Sequence, residues 1–91
     1  MKIREIICDR WILSDKTWGI TLYPFIFYNR KYYQESLRRH EWIHVEQVRR
    51  LGWFKFYFQY LVEHFKKGYL QNKFELEAYK RQYENSQPWD E

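Results

Sequence analysis

The stretch Tyr33–Leu51, YQESLRRHEWIHVEQVRRL, decides how the rest of the chain is read. Taken at about 100° per residue, Leu37, His40, Glu41, His44, Val48 and Leu51 fall within one arc of roughly 100°, with Glu35, Arg38, Arg39, Glu46, Arg49 and Arg50 on the opposite side. The segment therefore reads as an amphipathic helix. Its core side carries two histidines and a glutamate among apolar residues, where an uncompensated polar cluster is costly. Something must satisfy them.

Outward from this helix the organisation follows. Toward the C-terminus the same periodicity gives two more helices, Trp53 to Lys67 and Lys73 to Glu84. Gly52 and Gly68 stand where left-handed C-caps belong, and Asn72 is placed to cap the third helix. Toward the N-terminus the signal changes to strand: Ile3 to Cys8 is β-branched and apolar. In TWGITLYPFIFYN, residues 17–29, Trp18, Ile20 and Leu22 alternate with Thr17, Gly19 and Thr21 until Pro24 interrupts the run. Proline within such a pattern points to a sheet edge. The expectation is an α+β fold: a small N-terminal antiparallel sheet with an edge strand, then three helices, in one minimal domain spanning residues 1–91.

Composition narrows the function classes. Sixteen basic and 12 acidic residues, largely interleaved, leave a net charge of +4, weak grounds for a nucleic-acid partner. The single cysteine, Cys8, can form neither an internal disulfide nor a cysteine-rich zinc site. Charges at Arg4, Glu5, Asp9 and Arg10 interrupt what would be a signal core, and the longest uncharged run, Thr17 to Asn29, holds 13 residues. No signal peptide or transmembrane segment is expected, and a cytoplasmic location is the default.

HEWIH, residues 40–44, carries the chemistry. On a helix, residues i and i+4 project about 5 to 6 Å apart, so His40 and His44 can occupy two corners of a tetrahedron around Zn²⁺. Glu41, about 60° around the helix from His44, is poised to reach a metal-associated water as general base. The alternative is a pair of core histidines satisfied by neighbouring groups. A third ligand cannot follow the HExxHxxGxxH pattern, because Gln47 and Arg50 occupy those positions.

The candidates are then His64 on the second helix and Glu75 or Glu77 in KFELEAY, residues 73–79. Glu75 lies at the centre of the arc formed by Phe74, Leu76, Ala78, Tyr79 and Tyr83, whereas Glu77 groups with Lys73, Lys80 and Arg81. The competing role for Glu75 is the far member of a capping box with Asn72. His64, on the same side as Trp53, Tyr57 and Tyr60, reads as a core histidine or one that orients a ligand or the oxyanion.

HEWIHVEQ followed some thirty residues later by FELEAY resembles the gluzincin type of zincin metallopeptidase, in compact form. The resemblance covers about Thr17 to Tyr83. It implies zinc ligands at His40, His44 and Glu75, Glu41 as the base that activates water, and the region Thr17 to Tyr28 as the antiparallel edge strand. Many relatives carry an aspartate four residues after the ligand glutamate, supporting a zinc histidine; this chain has Tyr79 there.

Three functions follow from these residues. The leading one is a zinc-dependent peptidase that holds a peptide or protein substrate along its edge strand. The second is a non-catalytic interaction module stabilised by zinc. The third, nucleic-acid binding through Arg38, Arg39, Arg49 and Arg50, is disfavoured because Glu35 and Glu46 are spaced to pair with Arg39 and Arg50. The second helix, WFKFYFQYLVEHFKK, could be read as an interfacial membrane helix, but its aromatic side is expected to cover the other helices.

Overall fold

The structure, a computed structural model, describes residues 2–11, 13, 17–83 and 89. Three strands, β1 (Arg4–Cys8), β2 (Gly19–Leu22) and β3 (Phe25–Asn29), precede three helices, α1 (Glu35–Leu51), α2 (Trp53–Lys67) and α3 (Lys73–Arg81). The arrangement is α+β, as the sequence indicates.

The sheet has the order β1-β3-β2, so β2 is an edge strand. It pairs antiparallel with β3, while β1 pairs parallel with β3, making the sheet mixed and not purely antiparallel. Residues 17–28 are not one strand. Tyr23 and Pro24, joined by a cis peptide, form the turn between β2 and β3, which removes proline from the ladder where its missing N–H would break a rung.

The register fixes what β2 offers its surroundings. Asn29 N donates to Trp18 O at 2.8 Å. By antiparallel alternation, Ile20 and Leu22 also direct their backbone groups at β3, while those of Gly19 and Thr21 point to the open edge. The side chains of Thr21, Ile26 and Tyr28 are buried on the helix side; Trp18, Leu22 and Phe25 are exposed.

Helix α1 is the centre of the molecule. The sheet packs on one flank and α2 and α3 on another, so burial extends beyond the expected arc to Arg39, Trp42, Ile43, Val45 and Gln47. Leu37, Trp42 and Val45 meet Ile3, Ile26, Tyr28 and Trp89, while Val48 meets Phe56 and Phe74. Arg39, expected on a solvated face, is buried; it pairs with Glu35 at 3.0 Å and donates to Gln82 O at 2.8 Å. The anticipated Glu46–Arg50 pair gives way to partners on α3, Glu46 to Arg81 at 3.0 Å and Arg50 to Glu77 at 3.2 Å.

The boundaries differ in detail. α1 starts at Glu35 rather than Tyr33, because Arg30–Tyr32 forms a 3₁₀ turn and Tyr33 is extended. α3 ends at Arg81; the expected end, Glu84, lies outside the described residues. Gly52 (φ 90°, ψ 150°) and Gly68 (φ 78°, ψ 173°) have positive φ but extended ψ, a glycine-only conformation distinct from the left-handed cap. Asn72 caps α3 as expected, accepting from Phe74 N at 2.9 Å, and its amide donates to Tyr60 O at 3.1 Å, tying α3 to α2.

On α2 the expectation of an aromatic face covering the other helices holds for one side only, where Phe56, Tyr57 and Tyr60 pack against Val48 and Phe74. Phe56 is buried and Tyr57 and Tyr60 are partly so, but Phe54, Phe58, Leu61 and Phe65 face outward. Among the described residues, no helix is long and apolar enough to cross a membrane.

Candidate metal centre

His40 and His44 project from successive turns of α1 toward the first turn of α3, where Glu75 enters the core. Glu75 Oε1 lies 3.0 Å from His40 Nε2 and 3.2 Å from His44 Nε2. All three residues are buried, and their three donor atoms lie within 4.8 Å of one another. Around a tetrahedral ion with bonds of about 2.0 to 2.1 Å, neighbouring donors stand roughly 3.3 Å apart. The two histidine-to-glutamate separations are close to that edge, so this His-His-Glu group could hold a metal ion.

The other ring nitrogens are held in place. His40 Nδ1 meets Gln82 Oε1 at 2.7 Å, and His44 Nδ1 meets Gln47 Oε1 at 2.8 Å. Both rings are thus anchored through Nδ1 and direct Nε2 at Glu75, the arrangement that presents Nε2 to a metal. The second Glu75 oxygen accepts from the Tyr60 hydroxyl at 2.6 Å. Glu75 does not serve as a capping-box residue; its carboxylate turns inward, leaving Asn72 to cap alone.

Electrostatics follow from this geometry. Burial alone would raise the Glu75 pKa, but hydrogen bonds from His40, His44 and Tyr60 outweigh it and hold the carboxyl well below the usual range. Burial would lower His44, yet the hydrogen bond and charge of Glu75 raise it to about 9. With no metal bound, Glu75 thus holds a proton on His44 that a metal would have to displace.

Glu41 is buried beside this group. Burial raises its pKa against the opposing charges of His44 and His40. Thr21 on the edge strand donates its hydroxyl to Glu41 Oε1 at 2.9 Å and stands 3.1 Å from the Glu41 carbonyl. A Cβ at Gly19 would lie 3.2 Å from Phe27 O and 3.4 Å from both Cγ and Oε2 of Glu41. The absence of a side chain at Gly19 lets β2 pass close over this carboxylate.

These residues line a cleft of about 1320 Å³ whose walls include the whole of β2, His40, Glu41, His44 and Glu75. Tyr57 closes part of the strand edge, donating to Thr21 O at 3.0 Å and accepting from Tyr23 N at 2.9 Å.

Of the residues singled out in the sequence, His40, His44, Glu75 and Glu41 come together. Glu77 does not join them; it accepts from Gln47, Arg50 and Arg81. His64 is exposed, with its ring beside Phe65, and does not line the cleft. Tyr79 packs the edge of its ring on His40, centroids 4.7 Å apart, while its hydroxyl donates to Tyr69 at 3.2 Å. It supports the His40 ring by packing, and Gln82 supplies the hydrogen bond to that histidine. Sequence reasoning passed over Gln47, Gln82, Tyr60, Thr21 and Gly19. Gln47, three residues beyond His44 on the same helix, carried a readable spacing; Tyr60 carried none.

Comparison of the chain with protein-family models, curated proteins and solved structures found no match.

Proposed function

We propose that this protein is a zinc-dependent peptide hydrolase. The carrying observation is the convergence of His40, His44 and Glu75, whose donor atoms lie within 4.8 Å of one another, with buried Glu41 alongside and an open strand edge in the same cleft. Two imidazoles and one carboxylate form a donor set suited to zinc with an open position, and resemble the gluzincin ligand set. Zinc, when bound there, supplies Lewis acidity toward a carbonyl oxygen and a water.

The chain's own groups do the rest. A substrate in extended conformation pairs with the outward N–H and C=O of Gly19 and the N–H of Thr21, adding a strand to the sheet. Glu41 takes a proton from the water as its oxygen attacks the scissile carbonyl carbon, then passes that proton to the amide nitrogen as the C–N bond breaks. Thr21 orients the Glu41 carboxylate throughout.

The test pairs metal analysis with turnover. Purified protein should hold about one zinc per chain, melt at a lower temperature after chelation, and cleave an unstructured protein substrate. Glu41→Gln should keep the zinc and lose the cleavage. Zinc retention and metal-dependent stability with no cleavage by the unaltered protein would establish the zinc-stabilised interaction module instead.

A further inference from the structure

The outward face of α2 carries Phe54, Phe58, Leu61 and Phe65, which are 74%, 60%, 53% and 82% exposed. Their spacing places all four within about 60° of one another on the helix, a continuous stripe roughly 16 Å long. Phe54 and Phe58 stack on each other, ring centroids 6.3 Å apart, and Trp53, 58% exposed, stands at the N-terminal end. The stripe lies opposite Phe56, by which α2 packs on the core.

The charges around the stripe have one sign. Lys55 and Lys66 fall on the same flank, about 20° apart in projection. The only acidic residue of α2, Glu63, is turned away from the stripe; its side chain is 13% exposed and engages Lys73 N and Lys67. The outward half of the helix is therefore apolar in the middle, basic on one flank and free of carboxylates.

We propose that this face of α2 docks on an anionic membrane surface, lying in the plane of the interface with the phenylalanines among the acyl chains and Lys55 and Lys66 at the headgroups. Charge favours this occupant over a second copy of the chain paired antiparallel. Antiparallel two-fold pairing along the stripe would set the lysine flank of one helix against the same flank of the other, whereas anionic headgroups neutralise it. Leu61 belongs both to the stripe and to the cleft lining, so docking would place the cleft mouth beside the bilayer surface.

The experiment is co-sedimentation with vesicles of phosphatidylcholine alone and of phosphatidylcholine mixed with phosphatidylglycerol, with size measured in parallel by analytical ultracentrifugation. The expected result is binding to the mixed vesicles that falls with added salt and is at least tenfold weaker on pure phosphatidylcholine. Phe58→Ser with Phe65→Ser, both at exposed positions, should keep the circular dichroism spectrum and lose vesicle binding; Lys55→Glu with Lys66→Glu should lose the preference for anionic vesicles. No binding to the mixed vesicles, or equal binding by the serine variant, overturns the proposal. A dimer that the serine variant dissolves, without vesicle binding, assigns the stripe to a second copy. None of these readouts depends on metal or catalysis.

Discussion

His44 Nδ1 lies 2.8 Å from Oε1 of Gln47, one helical turn further along α1. The amide's orientation is fixed by its other end, since Gln47 Nε2 donates to Phe74 O at 3.1 Å and to Glu77 Oε1 at 3.0 Å, both acceptors. Its carbonyl must therefore face His44, and His44 must donate. Gln47→Leu keeps much of the side-chain volume and removes this constraint. Metal affinity, measured by competition with a chromogenic chelator, should fall about tenfold, with a stability loss of about 1 to 3 kcal/mol from the buried His44 Nδ1 left without its acceptor. Unchanged affinity would show that His44 needs no external orientation.

Gly19 and Glu41 make a second, separable prediction. Alanine at 19 would put its Cβ 3.2 Å from Phe27 O, a backbone atom held in the ladder, and 3.4 Å from the Glu41 carboxylate. The strain is relieved most readily by moving Glu41 off Thr21. Gly19→Ala should therefore lower peptide turnover about tenfold, in keeping with the sensitivity of proton transfer to small displacements, while zinc content stays unchanged. Parallel loss of zinc would mean that β2 shapes the metal ligands as well as the base.

Much of this site was legible because it lies on helices. The spacing of His40, Glu41 and His44 fixes their relative directions once α1 is helical, and Glu75 was separable from Glu77 by its place among Phe74 and Ala78. What stayed hidden depends on how elements meet. Periodicity describes one helix at a time, so it could not show that α1 would be enclosed on several sides, which buries Arg39 and Gln47. His64 and the phenylalanines of α2 misled for the complementary reason. An aromatic-rich helix has more apolar surface than its neighbours can cover, and local pattern does not say which side they will take. The strand pairing turned on Pro24, read as an interruption of one strand when it closes a hairpin of two.

Acid sensitivity should have a source outside the cleft as well as at Glu75. Glu5 on β1 accepts from Arg38 at 2.8 Å, Trp42 Nε1 at 2.9 Å and the Tyr28 hydroxyl at 2.8 Å, joining the sheet to α1. Partial burial would raise its pKa, but these donors and the Arg38 charge bring it below the ordinary 4.5. A carboxyl depressed in the folded state adds stability above its unfolded pKa and loses it as pH falls through the folded value. Glu5→Gln should thus cost about 1 kcal/mol at neutral pH. The difference from the unaltered protein should shrink below pH 4.5 in chemical denaturation curves; a difference independent of pH would assign the effect to packing.

The choice between the two glutamates of α3 is the most direct trial of the metal centre. Glu75 is 3% exposed and places Oε1 against both Nε2 atoms, whereas Glu77 reaches outward to Gln47, Arg50 and Arg81. Replacing either by glutamine preserves shape and an acceptor oxygen, so the comparison isolates the carboxylate charge. Glu75→Gln removes the only anionic ligand from the proposed set, and zinc affinity should drop tenfold or more. Glu77→Gln still offers Gln47 an acceptor and should leave affinity within about threefold. His64→Ala, at an exposed position outside the cleft, should change nothing. A larger loss for Glu77→Gln would transfer the ligand role to that residue, and equal affinity in all three variants would mean that zinc does not bind through α3.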